Sequence, residues 1–432
     1  MTQAATAPGA VLSIRLPGAP AAVACTGMAS IELAVPVGEA TAFNVGSVAK
    51  QITARLVIRA ARDQTISLRQ PVSDLLPEFR PADVTVADLI THHGGVRDAE
   101  SLLSLAGFRD LDHYTARDLL ALAFRQRHRA APRGQFLYSN TGYLLLAEIL
   151  RRTHGATLRE IAAEQVFGPL GMTSTHFQED PRDVIPGAAA SYTAVPGGWR
   201  RTQRPVSIPG PGTLWSTAAD LGLWLARLHQ ERGKDLPSAQ DIPYQPSDHA
   251  PFTYGPGLYA DPEGAAVFHN GHEQGFSAAT RLNPDGTQVI CLSNHAEIPA
   301  DRLASAALAS LTRDQRADPA SILAAAAPGT SNGACDEDHP APGTRHQAVG
   351  TYRSDEVPGT LRLTRGGGHL YLWRRGTAQR LVPLSPQTHK GEGCTLVFPA
   401  DPGNDPPRSF TLDLDRAPGL QYTLKSDSLP QP

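Results

Sequence analysis

Ser47 and Lys50 stand three residues apart in G-S-V-A-K, which puts both side chains on one face if the segment is helical. A serine hydroxyl is a weak nucleophile until a neighbouring base takes its proton. A lysine serves as that base when burial or a nearby cation holds its amine neutral. The chain has only four lysines, Lys50, Lys234, Lys390 and Lys425, so the pairing does not come from a lysine-rich background. At the first turn of a helix, Ser47 would also sit among unpaired N–H groups that favour developing negative charge. The competing reading is a surface lysine one turn after a capping serine.

Two further groups carry chemistry. Tyr138-Ser139-Asn140 leads into an apolar-periodic stretch. A tyrosine hydroxyl beside an ammonium loses or relays a proton more readily, and an asparagine amide can hold a substrate carbonyl and contact the lysine. The plainer alternative makes Tyr138 a packed loop residue and Asn140 a helix N-cap. His269-Asn270-Gly271-His272 falls on an expected strand. Gly271 lets a substrate backbone lie close to the strand edge, and the next N–H, that of His272, would complete an oxyanion hole with Ser47. The alternative there is a strand-to-turn junction with a solvent-facing histidine.

The elements that must bring these groups together are legible as patterns. V-L-S-I-R-L, A-A-V-A-C and I-E-L-A-V over residues 11–35 read as short strands. Residues 43–61 read as a helix apolar enough to be buried. Helical patterns follow at 85–92, 115–127, 141–153, 158–166 and 217–230, the last with Thr217 and Asp220 at capping-box spacing. Residues 177–213 are rich in Pro and Gly and read as a long loop. Strand patterns return over 252–294, and 301–313 reads as a closing helix. Strands at both ends with helices between predict one α/β unit whose terminal segments share a sheet. The expected organisation is a catalytic domain over 1–315, a linker over 316–346, and over 347–432 a small antiparallel β domain, a barrel or sandwich, with a period of two between turns.

Composition bounds the rest. The 432 residues are 41% hydrophobic and 19% charged, enough apolar material for a core and too little charge for a disordered chain. A net charge of −3 supplies no basic field for nucleic acid. There is no apolar run of membrane-spanning length, so no membrane partner is expected. The first twenty residues lack the charged start and apolar run of a secretion leader, which predicts a cytoplasmic chain. The four cysteines are scattered without C-x-x-C, as free thiols in a reducing compartment would be. His92, His93, His269 and His272 show no H-E-x-x-H or Cys/His ligand spacing, and no glycine string has dinucleotide-binding spacing. No metal and no cofactor is expected.

In order and spacing, Ser47-x-x-Lys50, Tyr138-x-Asn140 and His269-x-Gly271 resemble the penicillin-recognising serine hydrolases, specifically the class C β-lactamase-like group. That group includes D-aminopeptidases, D-alanyl-D-alanine carboxypeptidases and carboxylesterases. Phe43-Asn44-Val45-Gly46, the run L-I-T-H-H-G-G-V at 89–96, the segment from Gly212 to Leu221, and Tyr254-Gly255-Pro256-Gly257-Leu258 are similar to supporting segments of the group. The resemblance covers about residues 10–312. It implies a serine β-lactamase-like fold, an antiparallel sheet flanked by helices plus a helical lobe, here followed by a lipocalin-like barrel. It implies Ser47 as the acylated nucleophile, Lys50 as its base partner and Tyr138 as the proton relay. Asn140 would bind the substrate carbonyl, His269 would occupy the third-motif position, and the N–H groups of Ser47 and His272 would form the oxyanion hole. Whether Lys50 or a Tyr138 phenolate takes the proton stays open. The third-motif position is often lysine in β-lactamases, where it attracts a substrate carboxylate; a histidine is only partly charged near neutrality. The implied activity is hydrolysis of small peptides, amides or esters without need of a free carboxylate, with D-amino-acid peptides favoured. Esterase, transacylase, weak β-lactamase and a catalytically silent binding module are the alternatives. Partners are a small molecule or short peptide, with room for a homo-oligomer.

Overall fold

A computed structural model of the chain describes residues 7–108, 112–202, 205–232, 242–263, 265–295, 298–314, 318–325, 348–374, 376–399 and 407–425. The first unit is built on an antiparallel sheet of eight strands. Their order is Gln245–Pro246, Thr253–Tyr254, Tyr259–Ala260, Val267–Glu273, Phe276–Leu282, Gln288–Ser293, Ala10–Arg15 and Ala22–Thr26. Ala10 lies opposite Ser293 and Arg15 opposite Gln288, so the two ends of the unit do share a sheet. The central strands Phe276–Leu282 and Gln288–Ser293 are buried along their whole length. Their residues alternate between two cores, one with Phe276, Ala278 and Ile290 and one with Ala279, Val289 and Cys291. Helix Ala300–Asp314 covers the second face, and helix Ala49–Arg62 lies in the first core.

Several elements differ from the sequence reading. Helix Ala49–Arg62 is preceded by a strand pair, Phe43–Asn44 with Leu214–Ser216, and by a single turn of 3₁₀ helix at Gly46–Val48. I-E-L-A-V is not a strand: residues 31–34 form a tight turn, with Ala34 at φ 52°, between Met28–Ser30 and Val35–Pro36. Residues 252–259 are two strands around the Gly255-Pro256-Gly257 turn. A helix, Pro319–Ala325, occupies the start of the expected linker and packs on the strands Ala10–Arg15 and Ala22–Thr26. Asp318 accepts from the N–H groups of Ala320 and Ser321, and Pro319 stands at the first helical position, a start signal the composition concealed. The rest of that linker, 326–347, lies outside the described residues, as does Cys335. No helix among the described residues is long and apolar enough to cross a membrane.

The second unit is a closed eight-stranded antiparallel barrel from Gly350 to Leu424, sealed by the pairing of Tyr352 with Leu424. Seven of its strands follow the period-two segments; the eighth, Thr388–Gly391, is too short for its period to stand out. Tyr352, Leu363, Leu372, Phe410 and Tyr422 fill it, in one core with Leu102, Leu119 and Leu122 of the helical lobe. Arg97, 5% exposed, fastens the two units: its guanidinium donates to the carbonyls of Pro418 and Gly419 and to the Glu356 carboxylate.

Candidate active site

Helix Ala49–Arg62 is buried on nearly every side, and each polar residue on it therefore needs a partner. Gln51 bridges Thr280 and the Trp224 indole, and Thr53 donates to the Gly210 carbonyl. Lys50, with no exposed surface, donates to three acceptors: Ser47 Oγ at 2.9 Å, Asn140 Oδ1 at 2.8 Å and the Pro211 carbonyl at 2.9 Å. Burial pushes its ammonium down to about 7, helped by the Arg416 charge and opposed by Asp98, Glu100 and Glu273. A neutral amine has two N–H donors and one lone pair. Asn140 and Pro211 can only accept, so in that state the lone pair faces the Ser47 hydroxyl. Serine and lysine are thus brought together as the spacing predicts, on the 3₁₀ turn and first helical turn, and Lys50 is not a surface residue.

The turn that presents Ser47 is held by its neighbours. Asn44 Oδ1 accepts from Gly46 N–H at 3.0 Å, and Val45 N–H donates to the Leu214 carbonyl. Gly46 adopts φ 50°. A Cβ there would lie 2.9 Å from His272 N, and a Cβ on Gly271 would lie 2.0 Å from the Val45 carbonyl oxygen and 3.1 Å from Ser47 N. Strand and turn touch backbone to backbone, which only glycine permits, and the amides of Ser47 and His272 share this seam. From His269 to Glu273 the strand has a partner only on its Phe276–Leu282 side among the described residues.

Tyr138 reaches the same place from the helical lobe. Its ring lies 5.0 Å from Lys50 Nζ, and its hydroxyl neighbours Ser47. Burial raises its pKa, so the phenol stays protonated. His92 holds it from behind: its carbonyl accepts from Leu137 N–H, its Nδ1 accepts from Ser139 N–H, and its ring lies 4.2 Å from that of Tyr138. The His92 ring also contacts those of Phe136, Tyr143 and Tyr254, and its Nε2 has no hydrogen-bond partner among the described residues. Asn140 is not the cap of its helix. Ser139 is, and the Asn140 side chain is left to bridge Lys50 and the Glu100 carboxylate, 2.6 Å from its Nδ2. Asp98 accepts from the N–H groups of Glu100 and Asn140. Burial, then the Asp98 charge, raises the Glu100 carboxyl.

His269 is buried, not solvent-facing. Its Nδ1 donates to the Asn270 carbonyl at 2.6 Å, so Nε2 accepts from the Tyr254 hydroxyl at 3.2 Å. Burial, then the Lys50 charge, holds the imidazole down to about 3. It is neutral at physiological pH, which corrects the expectation of partial charge. The Pro211 carbonyl, Glu100, His92 and Arg416 were not singled out for the site from sequence. The 177–213 stretch, read as a loop excursion, brings Gly210 and Pro211 against helix Ala49–Arg62 and helix Asn140–His154. A Cβ on Gly210 would lie 2.8 Å from the Tyr143 carbonyl oxygen.

Comparison with known proteins fits this layout. Residues 1–327 match the Beta-lactamase family. A D-aminopeptidase from Cereibacter sphaeroides is 28% identical over 188 residues, 43% of this chain and 36% of the relative, so the match spans about a third of that protein. An octameric penicillin-binding protein homologue from Pyrococcus abyssi superposes with TM-score 0.63 at 21% identity over 96% of this chain and 95% of that one. A D-amino acid amidase from Ochrobactrum anthropi SV3 gives 0.58 at 21% identity over 66% and 87%. The structural neighbours share the fold, and with a family match running through the whole first unit and all three motifs in one cleft, the chain belongs to the Beta-lactamase family.

Proposed function

We propose that this chain is a serine hydrolase that forms an acyl-enzyme at Ser47 on small peptides or amides, with a D-residue as the acyl group. The observation that carries this is the desolvated Lys50, whose two carbonyl-type acceptors leave its lone pair for Ser47. Lys50 takes the Ser47 proton and the alkoxide adds to the substrate carbonyl. The N–H groups of Ser47 and His272 receive the oxyanion. The new ammonium proton passes by way of the Tyr138 hydroxyl to the departing amine as the C–N bond breaks. Water then attacks the ester, its proton returning to Lys50, and Ser47 leaves protonated. The protonated state of Tyr138 supports the amine rather than a phenolate as base. His269, with both ring nitrogens engaged, serves as a positioning residue for Tyr254 and the strand.

The D-preference draws on the names of the similar proteins, a D-aminopeptidase and a D-amino acid amidase. Glu100 supports an amine-bearing acyl group: its raised carboxyl, one amide away from Lys50, gains a counter-charge when a substrate α-ammonium arrives. The test is a fluorophosphonate probe read by intact mass, with D- and L-amino-acid p-nitroanilides, p-nitrophenyl esters and nitrocefin in parallel. Labelling that vanishes in Ser47→Ala and D-anilide turnover above L are expected. An unlabelled wild type refutes the acyl-enzyme, and nitrocefin turnover at rates typical of dedicated β-lactamases refutes the substrate class.

A further inference from the structure

The third-motif position contributes no cation to the cleft, yet the cleft has one. Arg416 lies in the turn between the barrel strands Ser409–Leu414 and Ala417–Leu424, far from the motifs in sequence. Its Cζ stands 4.9 Å from the centroid of the Tyr138 ring. The turn is docked, not dangling. The Arg416 carbonyl accepts from Asp98 N–H at 2.9 Å, and Arg97 donates to the carbonyls of Pro418 at 2.7 Å and Gly419 at 3.2 Å. The Asp98 carboxylate in turn accepts from Asn140 N–H. The backbone that aims Arg416 is therefore bonded to the backbone that aims the catalytic asparagine.

The guanidinium is unspent. Arg416 is exposed, and among the described residues it has neither an ion pair nor a side-chain hydrogen bond. Its Cζ lies over the face of the Tyr138 ring, and no hydrogen bond among the described residues engages its N–H groups. Its charge acts on Lys50, Tyr138, His92 and Tyr259. A guanidinium fork whose N–H groups are not otherwise engaged is the donor set that binds a carboxylate by two parallel bonds.

We propose that Arg416 is the anchor for a carboxylate on the leaving group, so that the preferred substrate is a short peptide with a free C-terminus. One tyrosine ring separates the guanidinium from the nucleophile, a reach that suits a leaving group of one or two residues at about 3.5 Å each. This reverses the expectation, drawn from His269, that no free carboxylate is needed. The anchor is carried by the barrel and not by the third motif.

The inference rests on the acyl-enzyme reading, and the test keeps the two apart. Protection of Ser47 against the fluorophosphonate is measured with D-Ala-D-Ala and with its C-terminal amide, each protein scored against its own rate without dipeptide. In the wild type the free acid protects at roughly ten- to hundredfold lower concentration than the amide, the worth of a charge-assisted pair. Arg416→Ala brings the two dipeptides to within about twofold of each other, and Arg416→Lys recovers part of the difference. No labelling of the wild type defeats the acyl-enzyme reading. Labelling with equal protection by acid and amide, or discrimination that survives in Arg416→Ala, overturns the anchor alone.

Discussion

The base assigned to Lys50 makes a quantitative statement about pH. Free lysine titrates near 10.5, and in this site the ammonium is pushed down to about 7. At pH 7 that raises the neutral fraction from about 3 in 10,000 to about half, a gain of over a thousandfold in competent enzyme. The assay is the rate of Ser47 labelling by an uncharged fluorophosphonate between pH 5 and 9, which needs no substrate. The rate should climb about tenfold per pH unit on the acid side, bend near 7 and then level. Three groups of the cleft are silent in this window: His269 and His92 are held neutral by burial, and Tyr138 is held protonated. Glu100 is not among them, because burial raises its carboxyl. Glu100→Gln separates them. Losing a neighbour whose negative charge favours the ammonium moves a Lys50 bend to lower pH, whereas a Glu100 bend disappears. A flat profile, a bend above 9, or a bend abolished by Glu100→Gln refutes the neutral-amine argument.

Lys50→Ala should cut labelling by about 10²–10⁴, the usual worth of a positioned general base. Lys50 also couples stability to pH. The folded state binds fewer protons than the unfolded state between about 7 and 10.5, so the lysine's contribution becomes more favourable as pH rises through that window. In urea melts, the stability of the wild type relative to Lys50→Met should therefore improve by roughly 2–3 kcal/mol from pH 6 to 9, and a constant difference would contradict the depressed pKa. Gly271→Ala forces a Cβ to within 2.0 Å of the Val45 carbonyl oxygen. Separating strand from turn should lower labelling by about a hundredfold and stability by about 1–3 kcal/mol, read by kinetics and by melting. Glu100→Gln should raise KM for D-amino-acid p-nitroanilides severalfold and leave KM for their N-acetyl forms within twofold. Equal effects on both would assign Glu100 to holding Asn140 alone.

What the sequence discloses here follows from the range of each interaction. Ser47 and Lys50 share one helical turn, so their meeting is a matter of local periodicity, and the barrel strands announce themselves by a period of two. Tyr138, Asn140 and Gly271 carry no such local geometry. They became legible only as an ordered set similar to a family. The helix at Pro319–Ala325 was hidden because its alanines and proline read as linker, although Asp318-Pro319 is a helix start. Arg416 and the Pro211 carbonyl had no signal at all. One is an arginine in an arginine-rich chain, and the other is a main-chain oxygen that any residue could supply. Both reach the site through tertiary docking between segments more than 150 residues apart.

The separation of the two cations has a physical logic. A base must be desolvated to stay neutral, and Lys50 has no exposed surface. An anchor for a carboxylate must stay charged, and a second amine buried in the His269 pocket would be drawn toward neutrality by the same desolvation. It would also push on Lys50 at close range. A guanidinium resists deprotonation and is weakly hydrated. Carried on an exposed turn of another unit, it lies over the Tyr138 ring, where its charge still helps to hold the lysine down. The cost is that the anchor depends on docking. Arg97, buried between the units and bonded to both, is then the residue whose loss should move substrate discrimination without touching any group that reacts. Arg97→Met should loosen the turn and reduce the free-acid preference toward that of Arg416→Ala, while Ser47 remains open to the uncharged probe. Retention of the full preference in Arg97→Met would show that the turn holds its place without the clamp, and the link between docking and specificity would fail.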